Sequence, residues 1–356
     1  MFKLLFNSSN FPLVFFFLVF VKLTIFLFVT LFMVDSIYAS GNDSNLYHSY
    51  AVYQHEAATS IWPVVLRQLN ELGIYDRTYI SFFTFFISIS ILPFIFFKSV
   101  RLNRCNSSIV RYSSYFIILF SPTILLFSFD LYRDIYIYLF FLFSIWMFKY
   151  FLESATPLLK TYYLFFYILF AFVSLLFREY LGLSLIISGA LFFFYKSIAK
   201  YWRLSLILYF LVLVLVKNFA LLNPLLIYRN SFNEGGTTLG IKLLETDSLN
   251  FLLLYSYSFI LQVFGLFLVN LPALIIFLLE SIPFIFALIY IIKNMRYLTE
   301  FGIFLIIFFV LYTSIWVLGN DNLGTAIRLR VPSYLSIFAC MLIVYQVKLT
   351  KFISKG

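Results

Sequence analysis

Two kinds of residue in this sequence have the chemistry to move protons or hold oxyanions, and they occur at a few sharply bounded places. The first is the stretch GNDSNLYHSYAVYQHEAA at 41–58. It reads as a cap at Asn42 or Asp43 followed by a helix. On that helix Asp43 and Tyr47 are four residues apart, and His48 and His55 seven apart, so each pair shares a face. A carboxylate at Asp43 can serve as a general base or orient an acceptor hydroxyl. Its other reading is a helix N-cap. His48 and His55, the two histidines of the chain, read either as metal ligands with Glu56 or Asp43 or as polar residues at an interface. No tight ligand motif surrounds them, so the sequence assigns no metal and no cofactor.

The second kind is arginine beside short turns. FSFDLYRDIYIY at 127–138 presents Asp130, Arg133 and Asp134, with an Arg133–carboxylate pair as the plain alternative to a functional role. Arg178-Glu179-Tyr180 sits at another turn, where a local Arg178–Glu179 pair is the plain alternative. GNDNLGTAIRLRVP at 319–332 carries Arg328 and Arg330 between Gly324 and Pro332. If extended, that segment points both arginines to one side; if helical, it splays them. Exposed amides and a double arginine favour an anion site, and interfacial snorkelling is the alternative.

What holds these residues is a membrane bundle. The 356 residues are 63% hydrophobic and 23% aromatic, with a mean hydropathy of +1.00. A soluble core of this length cannot bury so much apolar surface. The apolar runs are continuous, which is the helix signal rather than the alternating pattern of a barrel. The pattern predicts an all-α polytopic bundle, residues 1–356 forming a single integral membrane domain. About ten spans are expected, near 11–34, 78–97, 112–128, 135–152, 161–177, 181–195, 204–222, 271–292, 302–318 and 331–347. The run 11–34 is too long for a signal-peptide core and is read as a span. The stretch 250–269 is read as re-entrant or interfacial, because making it a full span would move Lys293, Arg296 and the C-terminal lysines outside.

With both termini cytoplasmic, the inner side holds ten lysines and five arginines but only Glu153 and Glu300 as acids. The outer loops, about 35–77, 129–134, 178–180, 223–250 and 319–330, hold most of the acids. Their cations are Arg67, Arg77, Arg133, Arg178, Arg229, Arg328, Arg330 and Lys242. A topology signal is indifferent to cation type, whereas a phosphate site favours the planar guanidinium fork. The net charge of +10 is dispersed between apolar runs, which argues against nucleic acid. Cys105 and Cys340 are expected in an inner loop and a span, unpaired. Lys22, Lys217 and Glu280 stand alone within spans, without the midplane cluster of a coupled transporter.

Asp43-x3-Tyr47-His48-x2-Ala51, Ser121-Pro122 with Ser128, Arg133 and Asp134, Arg178, and NLGTAIRLRVP at 322–332 together resemble bacterial GT-C-type membrane glycosyltransferases, near the Wzy-type O-antigen and capsule polymerases. The resemblance implies a GT-C-like fold in a bacterial cytoplasmic membrane and a polyprenyl-phosphate or polyprenyl-diphosphate sugar as donor, with other polysaccharide-assembly proteins as partners. It implies Asp43 as acid/base, Asp134 as supporting carboxylate, Tyr47 and His48 as substrate contacts, and Arg133, Arg178, Arg328 and Arg330 as phosphate contacts. Polymerase and single-sugar transferase both fit. The other classes weighed are a transporter or flippase and a non-catalytic membrane scaffold.

Overall fold

A computed structural model describes residues 11–32, 43–58, 60–102, 108–231 and 238–353. Among them the chain is helical, with one isolated antiparallel bridge between Thr238 and Asn322. The helices are α1 (Phe11–Phe32), α2 (Asp43–Ala51), α3 (Ile61–Glu71), α4 (Arg77–Val100), α5 (Ser108–Leu119), α6 (Pro122–Leu126), α7 (Asp134–Glu153), α8 (Pro157–Phe177), α9 (Glu179–Phe192), α10 (Tyr195–Lys200), α11 (Trp202–Asn218), α12 (Asn223–Asn230), α13 (Ser248–Phe264), α14 (Leu271–Lys293), α15 (Glu300–Gly319) and α16 (Leu323–Ile353).

Seven of these, α1, α4, α7, α8, α14, α15 and α16, are long and apolar enough to cross a bilayer. At 1.5 Å per residue a helix of about 20 residues covers the ~30 Å hydrocarbon layer, which marks a multi-pass membrane protein. The expected span 204–222 is instead a bent pair, α11 and α12 meeting at 79°. Asn223-Pro224 opens the second piece, where a missing N–H costs nothing. The expected spans 112–128 and 181–195 appear as the short apolar helices α5 and α9, and 250–269 as the 17-residue α13. Sequence hydropathy merged pieces that the backbone breaks. Ser121 caps α6 by accepting from Ile124 N at 3.2 Å, immediately after α5 ends. Gly265, in the left-handed region at φ +66°, stops α13.

Two spans carry a π turn, Ile87–Ile91 in α4 and Phe277–Ser281 in α14. Each directly precedes a proline-bearing helical turn, Leu92-Pro93 and Ile282-Pro283. Proline lacks an N–H and crowds the preceding turn, and a widened turn accommodates it without ending the span.

The helices form two compact units, residues 1–182 with 345–356, and residues 183–344. In the first, α7 and α8 make an antiparallel hairpin, α4 packs on α7 and α5, α1 lies on α5, and α2 packs on α3. Lys22, in the middle of α1 and almost wholly buried, donates to Ile118 O at 3.5 Å, where α5 runs out of helical donors for its carbonyls. In the second, α15 packs against α12 and α13, and α11 against α13.

One arginine ties the second unit together. Arg229 on α12 is buried and donates to Ile241 O at 3.0 Å, Val317 O at 2.7 Å, Asn320 O at 2.5 Å and Ser258 Oγ at 3.0 Å, and it pairs with Asp321. It thereby caps the C-terminus of α15 while its charge is met by the residue just beyond. Removing one member of a buried pair strands the other, at a cost of about 3–5 kcal/mol. Arg229→Met is therefore expected to destabilise the protein by about 3–5 kcal/mol. Lys242→Ala, at an exposed position, should change it by less than about 0.5 kcal/mol. Thermal unfolding in detergent measures both.

Candidate functional site

The candidate site is the end of the first unit where α2, α3, the 127–133 turn and the α7–α8 hairpin meet. Helix α2 begins at Asp43 as expected, but it ends at Ala51. Tyr53 then takes φ +64°, so His55 leaves the helix and is exposed. The expected shared face of His48 and His55 does not form. Glu56 is exposed as well, and no grouping of three or more His, Cys, Asp or Glu able to hold a metal occurs among the described residues.

Helix α2 faces two ionic clusters. Asp43 and Tyr47, four apart, turn toward Arg133. That guanidinium is pulled below its ordinary value by burial first and by the neighbouring Arg178 second, while Tyr47, Asp134 and Asp43 oppose the shift. Arg133 Nε is buried without a hydrogen-bond acceptor among the described residues. Arg178 reaches Asp134, with Nη2 3.2 Å from Oδ1, instead of pairing with Glu179 next to it. The hairpin explains this choice. Asp134 opens α7 and Arg178 follows the last residue of α8. An acid at one helix's start and a cation at its antiparallel neighbour's end complement both dipoles. Thus Asp43, Tyr47, Arg133, Asp134 and Arg178, spread over 136 positions of sequence, converge.

The other cluster lies under Asn45 and His48. Arg77, first residue of α4, grips the fully buried Asp130 through Nε (3.0 Å) and Nη2, and its Nη2 also donates to Asn45 Oδ1 at 2.8 Å. Asp130 additionally accepts from Leu131 N at 2.8 Å and Ser81 Oγ at 3.4 Å. Asp130 thus takes Arg77 as its cation. His48 Nδ1 is 2.7 Å from Tyr75 OH, and the two rings stack. Trp62 of α3 completes the brace. Its Nε1 donates to Leu131 O at 2.7 Å and its ring packs on Tyr136. The turn is held at Asp130 and at Leu131, just ahead of Tyr132, so Arg133 emerges at a determined place. Sequence reasoning missed Arg77, Tyr75 and Trp62 as supports; their partners lie 27–69 positions away, and no local spacing announces that.

Arg328 and Arg330 belong to the second unit. The segment 319–330 is not an open loop. Asn322 Oδ1 accepts from Thr325 N at 2.9 Å and starts α16 at Leu323, ahead of both arginines. Pro332 lies inside α16 rather than opening it. Two residues apart on a helix, Arg328 and Arg330 diverge by about 200°. Arg330 is buried, with Nη2 3.9 Å from Glu280 Oε2 on the π turn of α14. A Cβ on Gly265 would come within 2.3 Å of Arg330 Nη1, so only glycine admits the guanidinium there. Glu280 was the unrecognised partner, visible in the sequence only as an isolated intramembrane acid.

No protein-family model, curated protein or solved structure matches this chain. Its site is read from its own residues.

That site has a pH signature. Burial, then the Arg77 charge, pushes His48 below its ordinary 6.5. The unfolded state therefore takes up a proton that the folded state refuses. Stability is complete above pH 6.5, falls as pH drops below it, and levels out below the folded-state value. Denaturation midpoints across pH 5–8 should show this slope in the wild type and a flatter profile in His48→Gln.

Proposed function

We propose that the protein is an integral membrane glycosyl-transferring enzyme that uses a polyprenyl-phosphate- or polyprenyl-diphosphate-linked sugar in surface-polysaccharide assembly. The observation that carries the reading is the convergence on Arg133. Two guanidinium groups, a helix-borne carboxylate and a tyrosine collect at one end of a multi-pass unit. A lipid-linked donor needs no nucleotide-binding fold. It needs cations at headgroup level for the phosphate, a base near them, and apolar surroundings for the lipid.

In this reading Arg133 and Arg178 offer parallel N–H donors to phosphate oxygens and stabilise the charge that grows on the leaving group. Asp43 accepts the proton of the attacking hydroxyl. Asp134 holds Arg178 in place, so it acts as a positioning residue, and Tyr47 offers a hydroxyl to the sugar. Arg328 and Arg330, which lie in the second unit, are proposed as further phosphate-binding cations. The Glu280 pairing makes Arg330 the weaker of the two for that task, because its charge is already met. The side of the membrane follows the charge bias of the loops: the site faces outward and both termini face the cytoplasm of a bacterial cell.

The competing scaffold reading treats Arg178–Asp134 as a structural clamp. Asp43→Asn and Arg133→Met separate the two, since the transfer reading gives both residues a part in the chemistry and the scaffold reading gives them none. Enzymatic transfer predicts lost or shortened glycan, at least about 100-fold less product, with protein level and thermal midpoint near wild type. The exposed Glu56→Gln serves as control. Full-length glycan in both variants at normal protein level would overturn the assignment.

A further inference from the structure

The link between α9 and α11 reads FFYKSIAKYWR, 193–203. It carries Lys196, Lys200 and Arg203, and the chain holds no acid between Glu179 and Glu234. Lys196 and Lys200 are four apart on α10 and share a face. None of α10 is buried, and Phe193, Phe194, Tyr201 and Trp202 around it are all more than half exposed. The three cations lie near the rings of adjacent residues: Lys196 at Tyr195 (5.9 Å), Lys200 at Tyr201 (5.0 Å) and Arg203 at Trp202 (5.4 Å). No ion pair engages them among the described residues.

The tertiary structure adds a second group of cations to this one. Helix α10 packs on α15, and Tyr195 OH donates to Glu300 Oε1 at the start of α15. That contact brings up the turn before α15, where Lys293 and Arg296 are exposed along with Ile292 and Met295. Five cations from segments about 100 positions apart thus lie on one end of the second unit. The acid among them, Glu300, is engaged by Tyr195.

Inner-side positive charge orients a chain during insertion, but orientation needs neither rings at the charges nor convergence of two distant loops. Exposed aromatic and aliphatic side chains set among unpaired cations, between apolar helices, match the chemistry of the bilayer boundary. There the rings sit at headgroup level and the cations meet phosphate. A soluble polyanion would leave those rings in water. We propose that Lys196, Lys200, Arg203, Lys293 and Arg296 form a binding surface for anionic phospholipid headgroups of the leaflet in which α10 lies.

The test uses the full chain in nanodiscs of phosphatidylcholine with a minor fraction of phosphatidylglycerol or cardiolipin, with retained lipid counted by native mass spectrometry. The wild type is expected to enrich the anionic lipid over phosphatidylcholine, and added salt to weaken the enrichment. Neutralisation should lower the apparent lipid affinity by roughly fivefold per cation removed, read with K196Q/K200Q and with K293Q/R296Q. The exchange K196R/K200R keeps charge and should keep the lipid. Equal retention of zwitterionic and anionic lipid by the wild type would overturn the proposal, whatever the variants do. So would undiminished enrichment in the folded quadruple variant K196Q/K200Q/K293Q/R296Q. Glycan synthesis is a separate readout, so failure here leaves the transfer reading standing and the converse holds too.

Discussion

A charge taken out of water must be met by an opposite charge, and this chain is organised around that requirement. Arg77–Asp130, Arg178–Asp134, Arg229–Asp321 and Arg330–Glu280 are pairs whose members lie in different elements. Each fastens a helix end or turn to another element. In lipid there is little hydrophobic force to draw one apolar helix to another. Specific polar ties of this kind carry the positional information that hydrophobic burial carries in a soluble core. Attraction between such buried charges is offset by their desolvation, so the pairs contribute geometry more than net stability.

The pairs differ in how completely they are satisfied, and the difference separates structure from chemistry. Arg229 directs its donors at four oxygen acceptors besides Asp321 and is a structural knot. Arg77 and Asp130 are bidentate and further bonded to Asn45 and Ser81. Arg133 is less completely bonded. The turn that bears it is held by Asp130 and by Trp62, while its own Nε has no acceptor among the described residues. A cation held in place yet incompletely bonded, beside a second arginine, is the arrangement that welcomes an oxyanion.

The same logic runs in reverse at the patch around α10. There the cations are exposed and clustered with aromatic rings rather than with acids. The patch mixes Lys196, Lys200 and Lys293 with Arg203 and Arg296, so it is set apart by exposure and not by the type of cation.

Composition and apolar periodicity alone determined that the chain is helical and multi-pass, because continuous apolar runs of this length have no other stable form in lipid. Local chemistry placed α2 at Asp43 and singled out Arg133, Asp134 and Arg178, since charges beside short turns stand out against an apolar background. Tertiary structure decided the partners. Asp130 took Arg77 from 53 positions away and Arg178 took Asp134 rather than adjacent Glu179. Glu280 met Arg330, and Tyr195 drew two basic loops together. It also decided where apolar runs break, through Ser121, Gly265 and the Asn223-Pro224 bend. Hydropathy sums over a window and is blind to a single cap. Pairing depends on distances that only the packed helices set.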